Sequence, residues 1–133
     1  MSRENVEVVR SAFAAFERGD MEALLRLIDE DVVITQADVP GLPAQQHGHR
    51  GVLETLAVWP EQWEDFRVEI LRIAAAPAGK VIATVRDRGR GKQSGIEVGM
   101  EFSHVFTIRD AKITEWQLFV QEGEALEAAG LRE

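Results

Sequence analysis

The stretch "EFSHVFTIRDAKITEWQLFV", residues 101–120, alternates apolar and polar side chains in two runs that meet at Asp110 and Ala111. Side chains two apart on a strand face the same side of a sheet, and a two-residue link joins antiparallel neighbours. The stretch therefore predicts a β-hairpin with one apolar face. We expect that face to be the interior, and it carries Phe102, His104, Phe106, Ile108, Trp116, Leu118 and Val120.

Other segments with strand composition surround this hairpin. "DVVITQA" comes early in the chain, and "FRVEILRI" and "KVIATVRDR" lead into "GIEVGMEFSHVFTIRD". The later segments are separated by the short turn-forming runs "AAPAG", "GRGKQSG" and "DA". Short links of this kind join antiparallel strands. The second half of the chain thus predicts an antiparallel meander.

The first half of the chain has helical spacing instead. A helix is expected from a cap at Ser2 to Gly19, and Asp20 is placed to cap a second helix with Met21, Leu24, Leu27 and Ile28 on its apolar side. "DVPGLPAQQHGHRG" then has the glycines and prolines of an irregular loop. A third helix is predicted from Gly51, bent at Pro60, with apolar residues at helical spacing: Val52, Leu56, Trp59, Trp63 and Phe66.

"EGEALEAAG" predicts a short helix near the end of the chain. Helices followed by a meander of strands are typical of an α+β fold, in which helices pack on an antiparallel sheet. With 133 residues and no linker or repeat, residues 1–133 are expected to form a single domain.

Composition restricts the function further. The formal net charge of -8 disfavours nucleic acid and anionic lipid as partners. No cysteine is present, which removes disulfides, thiolate metal sites and cysteine nucleophiles. The sequence has no run of membrane-spanning length and no apolar leader pattern, so we predict a cytoplasmic protein. Neither a cofactor nor a metal is expected.

Several segments together resemble the SnoaL-like branch of the NTF2-like superfamily, a ketosteroid isomerase-like and polyketide cyclase-like group. They are "ERGDMEALLRLIDEDV", "HGHRGV", "LETLAVWPEQWEDF", "RDAKITEW" and "EALEAAGL". The resemblance implies a cystatin-like cone, in which a strongly curved antiparallel sheet wraps around three helices and leaves a pocket at one end. It also implies a homodimer formed through the outer face of the sheet.

The catalytic patterns of this superfamily fit the chain poorly. In a gap-free comparison, the tyrosine, base and protonated acid of the steroid isomerases fall on Ala12, Gln36 and His104. The aspartate that the limonene-epoxide hydrolases carry after a tryptophan falls on Leu118. The "VRDR" stretch, Arg86 to Arg88, resembles an arginine-aspartate pair, but beside a hairpin we expect a solvated turn.

His104 has three possible roles: general acid or base, ligand contact, or a core histidine satisfied by hydrogen bonding. His47 and His49 lie two apart and could bind zinc or iron with His104, but their glycine-bearing loop and the absence of a second-shell pattern argue against it. One of these two histidines is expected at the rim of the pocket.

These observations lead to three hypotheses. The first is a pocket protein that binds a small, largely apolar metabolite, with His104 as its main polar contact. The second is a lyase, isomerase or polyketide-cyclase-like enzyme that uses His104 as acid or base, and the third is a dimeric accessory domain with a vestigial pocket. The ligand-binding residues predicted beside His104 are Gln36, His49, Trp59, Trp63, Arg86, Phe102, Phe106, Trp116 and Leu118.

Overall fold

The computed structural model describes residues 2–36, 43–57 and 63–131, so Trp59 lies outside the described residues. The chain is an α+β protein, as predicted. Within the described ranges no helix combines the length and the apolar character that crossing a membrane requires. The elements are α1 (Ser2–Arg18), α2 (Met21–Arg26), β1 (Ile28–Gln36), β2 (Gln45–His47), α3 (Gly48–Ala57), β3 (Trp63–Ala76), β4 (Lys80–Gly91), β5 (Glu97–Arg109), β6 (Lys112–Phe119) and α4 (Glu122–Ala128).

The strands form one sheet in the order β2-β1-β6-β5-β4-β3. Strands β3 to β6 make the predicted antiparallel meander. β1 differs, because it runs parallel to β6, with Ile34 beside Trp116 and Gln36 beside Leu118. The sheet is therefore mixed rather than wholly antiparallel. A parallel pair needs a long crossover, and here the whole chain between β1 and β6 supplies it.

The third helix is shorter than predicted. α3 begins at Gly48 and ends at Ala57, whereas Trp63 and Phe66 lie on β3. A proline at position 60 is incompatible with an uninterrupted helix through both tryptophans. From Phe66 to Ile70 the residues also alternate between partly buried and exposed, which is the strand period.

The region before α3 also differs from the predicted irregular loop. It contains the short strand β2, and Gly48 adopts a φ of +70°, in the left-handed region that glycine tolerates best. Its Cα approaches the backbone so closely that an added Cβ would lie 3.3 Å from the carbonyl oxygen of Glu30. This glycine lets β2 turn directly into α3.

The first two helices form where the sequence places their caps. Gly19 has a φ of +73° after α1, and the Asp20 side chain accepts a hydrogen bond of 3.1 Å from the backbone N–H of Ala23. Ile28, predicted on the apolar stripe of α2, begins β1 instead. The chain thus enters the sheet one turn earlier than its helical spacing indicates.

The two faces of the sheet bury different clusters. On the inner face, residues such as Val9, Val32 and Val52 join the helices to the sheet with no exposed surface. On the outer face, Ala125 of α4 and Ala129 just after it pack on Ile82 and Val105, and Phe119 joins them. Val120 was expected inside but is 38% exposed, because β6 ends at Phe119 and the chain turns into α4.

A polar network fixes α4 to the outer face. The Glu122 carboxylate accepts hydrogen bonds from the Arg72 guanidinium (Nε, 3.0 Å) and the Thr84 hydroxyl (2.9 Å). Thr84 also lies 3.0 Å from the hydroxyl of Ser103 on the next strand. The pKa of Glu122 is lowered, first by the Thr84 hydrogen bond and then by that of Arg72. α4 is therefore held in place by packing and by charge-assisted hydrogen bonds.

Candidate functional site

An apolar cavity of about 90 Å³ lies between the inner face of the sheet and helices α1 to α3. Its wall is almost entirely hydrocarbon and aromatic, and only three of its described lining residues carry polar side chains: Thr55, Asp87 and His104. The other lining residues are Ala12, Phe13, Phe16, Leu24, Ile28, Val32, Val52, Leu56, Phe66, Val68, Phe102, Phe106, Ile113, Trp116 and Leu118.

His104 lies near the middle of β5, beside Ala83 of β4 and Leu118 of β6. The side chain is 8% exposed, and its Nδ1 accepts a hydrogen bond of 2.8 Å from the indole Nε1–H of Trp116. The imidazole stacks on Phe106 at 5.7 Å between ring centroids. Because an indole nitrogen only donates, Nδ1 must be unprotonated, and the proton of the neutral ring is on Nε2.

Burial lowers the pKa of His104 to about 3. The ring is therefore neutral at pH 7, which makes it poor at exchanging protons and well suited to donating a hydrogen bond. Within the described part of the chain, Nε2 has no hydrogen-bond acceptor, and His104 is part of the cavity wall. The structure thus leaves one N–H donor available in an apolar site.

Asp87 is the second polar group of the cavity, although its segment was expected to form a solvated turn. The "VRDR" stretch is not a solvated turn but part of β4, and Asp87 shares the inward face with Val81, Ala83 and Val85. Its side chain is 8% exposed. The period-two alternation from Val81 onward could have placed it inside.

The environment of Asp87 favours its protonated form. Its pKa is raised to about 7, first by burial and then by the negative charge of Glu17 on α1. No hydrogen-bond donor or cation contacts its carboxyl group among the residues that the structure describes. At neutral pH this carboxyl group can therefore exist in either protonation state.

Asp87 and His104 lie at different ends of the cavity. Asp87 is beside Met100 of β5, and His104 is four residues farther along that strand. Four residues of an extended strand place their Cα atoms about 13 Å apart. Phe102 lies between them on β5 and lines the cavity. A single ligand could therefore contact both polar groups with an apolar body between them.

Of the predicted ligand-binding residues, four line the cavity with His104: Phe102, Phe106, Trp116 and Leu118. Gln36, His49, Trp63 and Arg86 are not among the described residues that line it. The Gln36 side-chain amide donates to the carbonyl oxygen of Pro43, beyond the end of β1. Trp63 lies against Gly89, where an added Cβ would come within 2.7 Å of the indole.

Arg86 and His49 have contacts of other kinds. Arg86 faces the outer side of the sheet, where its guanidinium donates to Glu101 at 2.8 Å. This contact is the main reason that the pKa of Arg86 is raised. His49 Nε2 lies 2.8 Å from the carbonyl oxygen of Ile28, which ties the first turn of α3 to β1. Among the described residues, no three histidine, aspartate or glutamate side chains converge as metal ligands.

The fold and the apolar cavity define a cone of the NTF2-like class. The SnoaL-like domain matches residues 9–116, and the chain belongs to this family. No curated protein matches the sequence at a significant level.

Several solved structures have the same fold. TerC, co-crystallised with polyporic acid, is 22% identical with a TM-score of 0.75, over 96% of this chain and 98% of that one. An NTF2-like protein of unknown function from Burkholderia pseudomallei is 21% identical with a TM-score of 0.76, over 97% and 98%. An LEH-like epoxide hydrolase from M. tuberculosis is 20% identical with a TM-score of 0.68, over 96% and 90%. At these identities the likeness establishes the fold.

Proposed function

We propose that the protein binds a small, largely apolar molecule in this cavity and holds one acceptor oxygen of it on Nε2–H of His104. The observation that carries the proposal is the hydrogen bond from Trp116 to Nδ1, because it fixes the tautomer that directs a donor into the site. An unpaired hydrogen-bond donor in an apolar wall is unfavourable, so a ligand that offers it an acceptor binds more tightly than one that does not.

The volume of the cavity limits the ligand. Drug-sized ligands occupy pockets of roughly 300–1,000 Å³, whereas this cavity measures about 90 Å³. A ligand with a single ring or a short branched chain requires little adjustment of the walls. A steroid or an extended polyketide would require them to move apart. We therefore expect the smallest members of a ligand panel to bind without rearrangement.

Two substitutions at His104 test the proposal. His104→Asn can keep an oxygen near the position of Nδ1 for Trp116, but its shorter amide places no donor at the position of Nε2. His104→Gln extends an amide N–H₂ towards the position of Nε2. We would measure the thermal shift caused by cyclohexanone, acetophenone and larger terpenoid and steroid ketones, each beside its hydrocarbon analogue.

The proposal expects ketones to stabilise the wild type more than the hydrocarbons do, and this difference to disappear in His104→Asn. His104→Gln should recover part of it. If hydrocarbons and ketones stabilise the wild type equally, the cavity binds apolar molecules but His104 does not select among them. If no compound stabilises the wild type, the binding proposal is wrong.

A second candidate function is catalysis, and Asp87 is the observation that favours it. A carboxyl group with a pKa near 7 can take up and release a proton at neutral pH, which a histidine with a pKa of about 3 cannot do efficiently. Turnover of a bound compound that is lost in Asp87→Asn, with binding retained, would establish it.

We also propose that the protein forms a homodimer through the outer face of the sheet, as its family resemblance implies. α4 covers Ile82 and Val105 on this face, so the contact would use the neighbouring surface with the Arg86–Glu101 ion pair. Sedimentation velocity tests the assembly, and Glu101→Arg should weaken it. A monomer at every practical concentration would contradict the proposal.

A further inference from the structure

We infer that the natural ligand carries a protonated amine, which Asp87 binds at the end of the cavity opposite His104. This inference rests on the proposed binding function and names the chemical class of the ligand. Asp87 is 8% exposed and lines the cavity, and its carboxyl group has no hydrogen-bond donor or cation beside it in the described chain. A buried carboxylate without a partner is costly, and a ligand cation would supply the missing partner.

The charges around the cavity favour a cation over an anion. Asp87 is the one charged residue among the described lining residues, and Glu17 of α1 adds a second negative charge beside it. Glu17 itself is oriented by a hydrogen bond of 2.7 Å from the backbone N–H of Val68. Arg86 and Arg88 flank Asp87 in sequence but form ion pairs with Glu101 and Glu69. The arginines closest in sequence are therefore engaged elsewhere.

The rest of the wall suits an ammonium group attached to an apolar body. Six aromatic side chains line the cavity, and the faces of such rings attract cations. They are Phe13, Phe16, Phe66, Phe102, Phe106 and Trp116. His104 is neutral at pH 7, so it does not repel the cation. A small amine with an aliphatic or single-ring body matches both the wall and the volume.

Binding of such an amine should depend on pH. Below pH 7 Asp87 is mainly protonated, and it must release its proton to pair with the ammonium group. Among the described residues, the groups that face Asp87 are Glu17 from α1, Phe66 and Val68 from β3, and Met100 from β5. Glu17 is the titratable one of these, and His104 is the other titratable group of the cavity. Proton release on binding is therefore assigned to Asp87.

The test uses probes of similar size and shape that carry a positive, a neutral or a negative polar group. Benzylamine, benzyl alcohol and benzoate form a single-ring series, and isobutylamine with isobutanol forms a smaller one. Dissociation constants would be measured by calorimetry at pH 8 and pH 5.5 on the wild type and Asp87→Asn. Asp110→Asn is the matched control, because it makes the same chemical change in an exposed turn where φ is +53° and asparagine is tolerated.

At pH 8 the wild type and Asp110→Asn should bind an amine at least about tenfold more tightly than its alcohol. Benzoate should not bind. In Asp87→Asn the amine preference should fall to about twofold or less, while the alcohol still binds. At pH 5.5 the preference in the wild type should shrink, and amine binding should release a proton.

Three results would overturn the inference. Equal binding of amine and alcohol by the wild type would show that Asp87 does not select a cation, but the proposed binding function would stand. An amine preference that persists in Asp87→Asn would place the cation elsewhere. Failure of every probe, including the alcohols, would contradict the proposed function as well.

Discussion

The two ends of the cavity place different titratable groups in similar surroundings. His104 and Asp87 are each 8% exposed, and burial moves their pKa values in opposite directions, down to about 3 and up to about 7. Both shifts favour the neutral form. The ends differ in their partners, since His104 is held by Trp116 and Asp87 has only the repulsion of Glu17. Burial determines the direction of each shift, whereas hydrogen bonding determines which group already has a structural role.

The largest expected effect is the loss of folding stability that His104 causes at acid pH. Between pH 6.5 and pH 3 the unfolded chain protonates this histidine and the folded chain does not, so stability is lost as the pH falls. We therefore compare Asp87→Asn with the double variant Asp87→Asn/His104→Phe. The change in the free energy of unfolding caused by His104→Phe should become more stabilising by about 3 kcal/mol when the pH falls from 7 to 4. Urea unfolding at the two pH values measures this. A constant difference would show that His104 titrates normally in the folded protein.

The Asp87 end should show the opposite pH dependence. Between pH 3.8 and pH 7 the folded chain holds the Asp87 proton and the unfolded chain has released it, so this group costs stability as the pH rises. Asp87→Asn should therefore stabilise the protein more at pH 8 than at pH 5, by about 2.6 kcal/mol. Asp110→Asn is the control for the loss of one charge. Equal stabilisation at both pH values would contradict the shift.

A double-mutant cycle tests the partner that distinguishes the two ends. At pH 7, His104→Phe leaves the Trp116 N–H without an acceptor and should cost about 1–3 kcal/mol. In a Trp116→Phe background the same change should cost about 1 kcal/mol less, because no donor is left unsatisfied. Denaturant unfolding of the four proteins gives the coupling energy. Additive costs would mean that the 2.8 Å contact contributes nothing specific to stability.

The smallest expected effect concerns Glu17. Glu17→Gln removes the negative charge beside Asp87 but keeps an oxygen that can accept from Val68 N–H. The pKa of Asp87 should fall by less than about one unit, because the Glu17 side chain is exposed and solvent screens its charge. Carboxyl ¹³C chemical shifts measured against pH would detect this. An unchanged Asp87 pKa would leave burial as its only cause.

The sequence predicted the parts of this site that depend on local periodicity. The hairpin of residues 101–120 and its inward face follow from strand alternation, and His104, Phe102, Phe106, Trp116 and Leu118 do line the cavity. The same alternation places Asp87 on the inward face of β4, but its two arginine neighbours gave the segment the composition of an exposed turn. The partner of the His104 ring could not be predicted, because it depends on the register that brings Trp116 beside Phe106.

The errors arose where distant segments determine the structure. Trp63 and Phe66 fit a helical spacing as well as a strand, and their pairing with β4 determines the outcome. The parallel pairing of β1 with β6 cannot be predicted from the sequence of either strand alone. His49 provided no indication that it would contact the carbonyl oxygen of Ile28, twenty-one positions earlier in the chain.

The pairing of β1 with β6 also has a consequence for the order of folding. Ile28 aligns with Ile113, so forming this pair closes a loop of about 85 residues, whereas each hairpin of the meander closes a short one. We expect the meander to form first and β1 to join it late. Ile28 and Val32 bring part of the cavity wall with them, so the cavity is completed only in the last step. A ligand should therefore slow unfolding without accelerating folding.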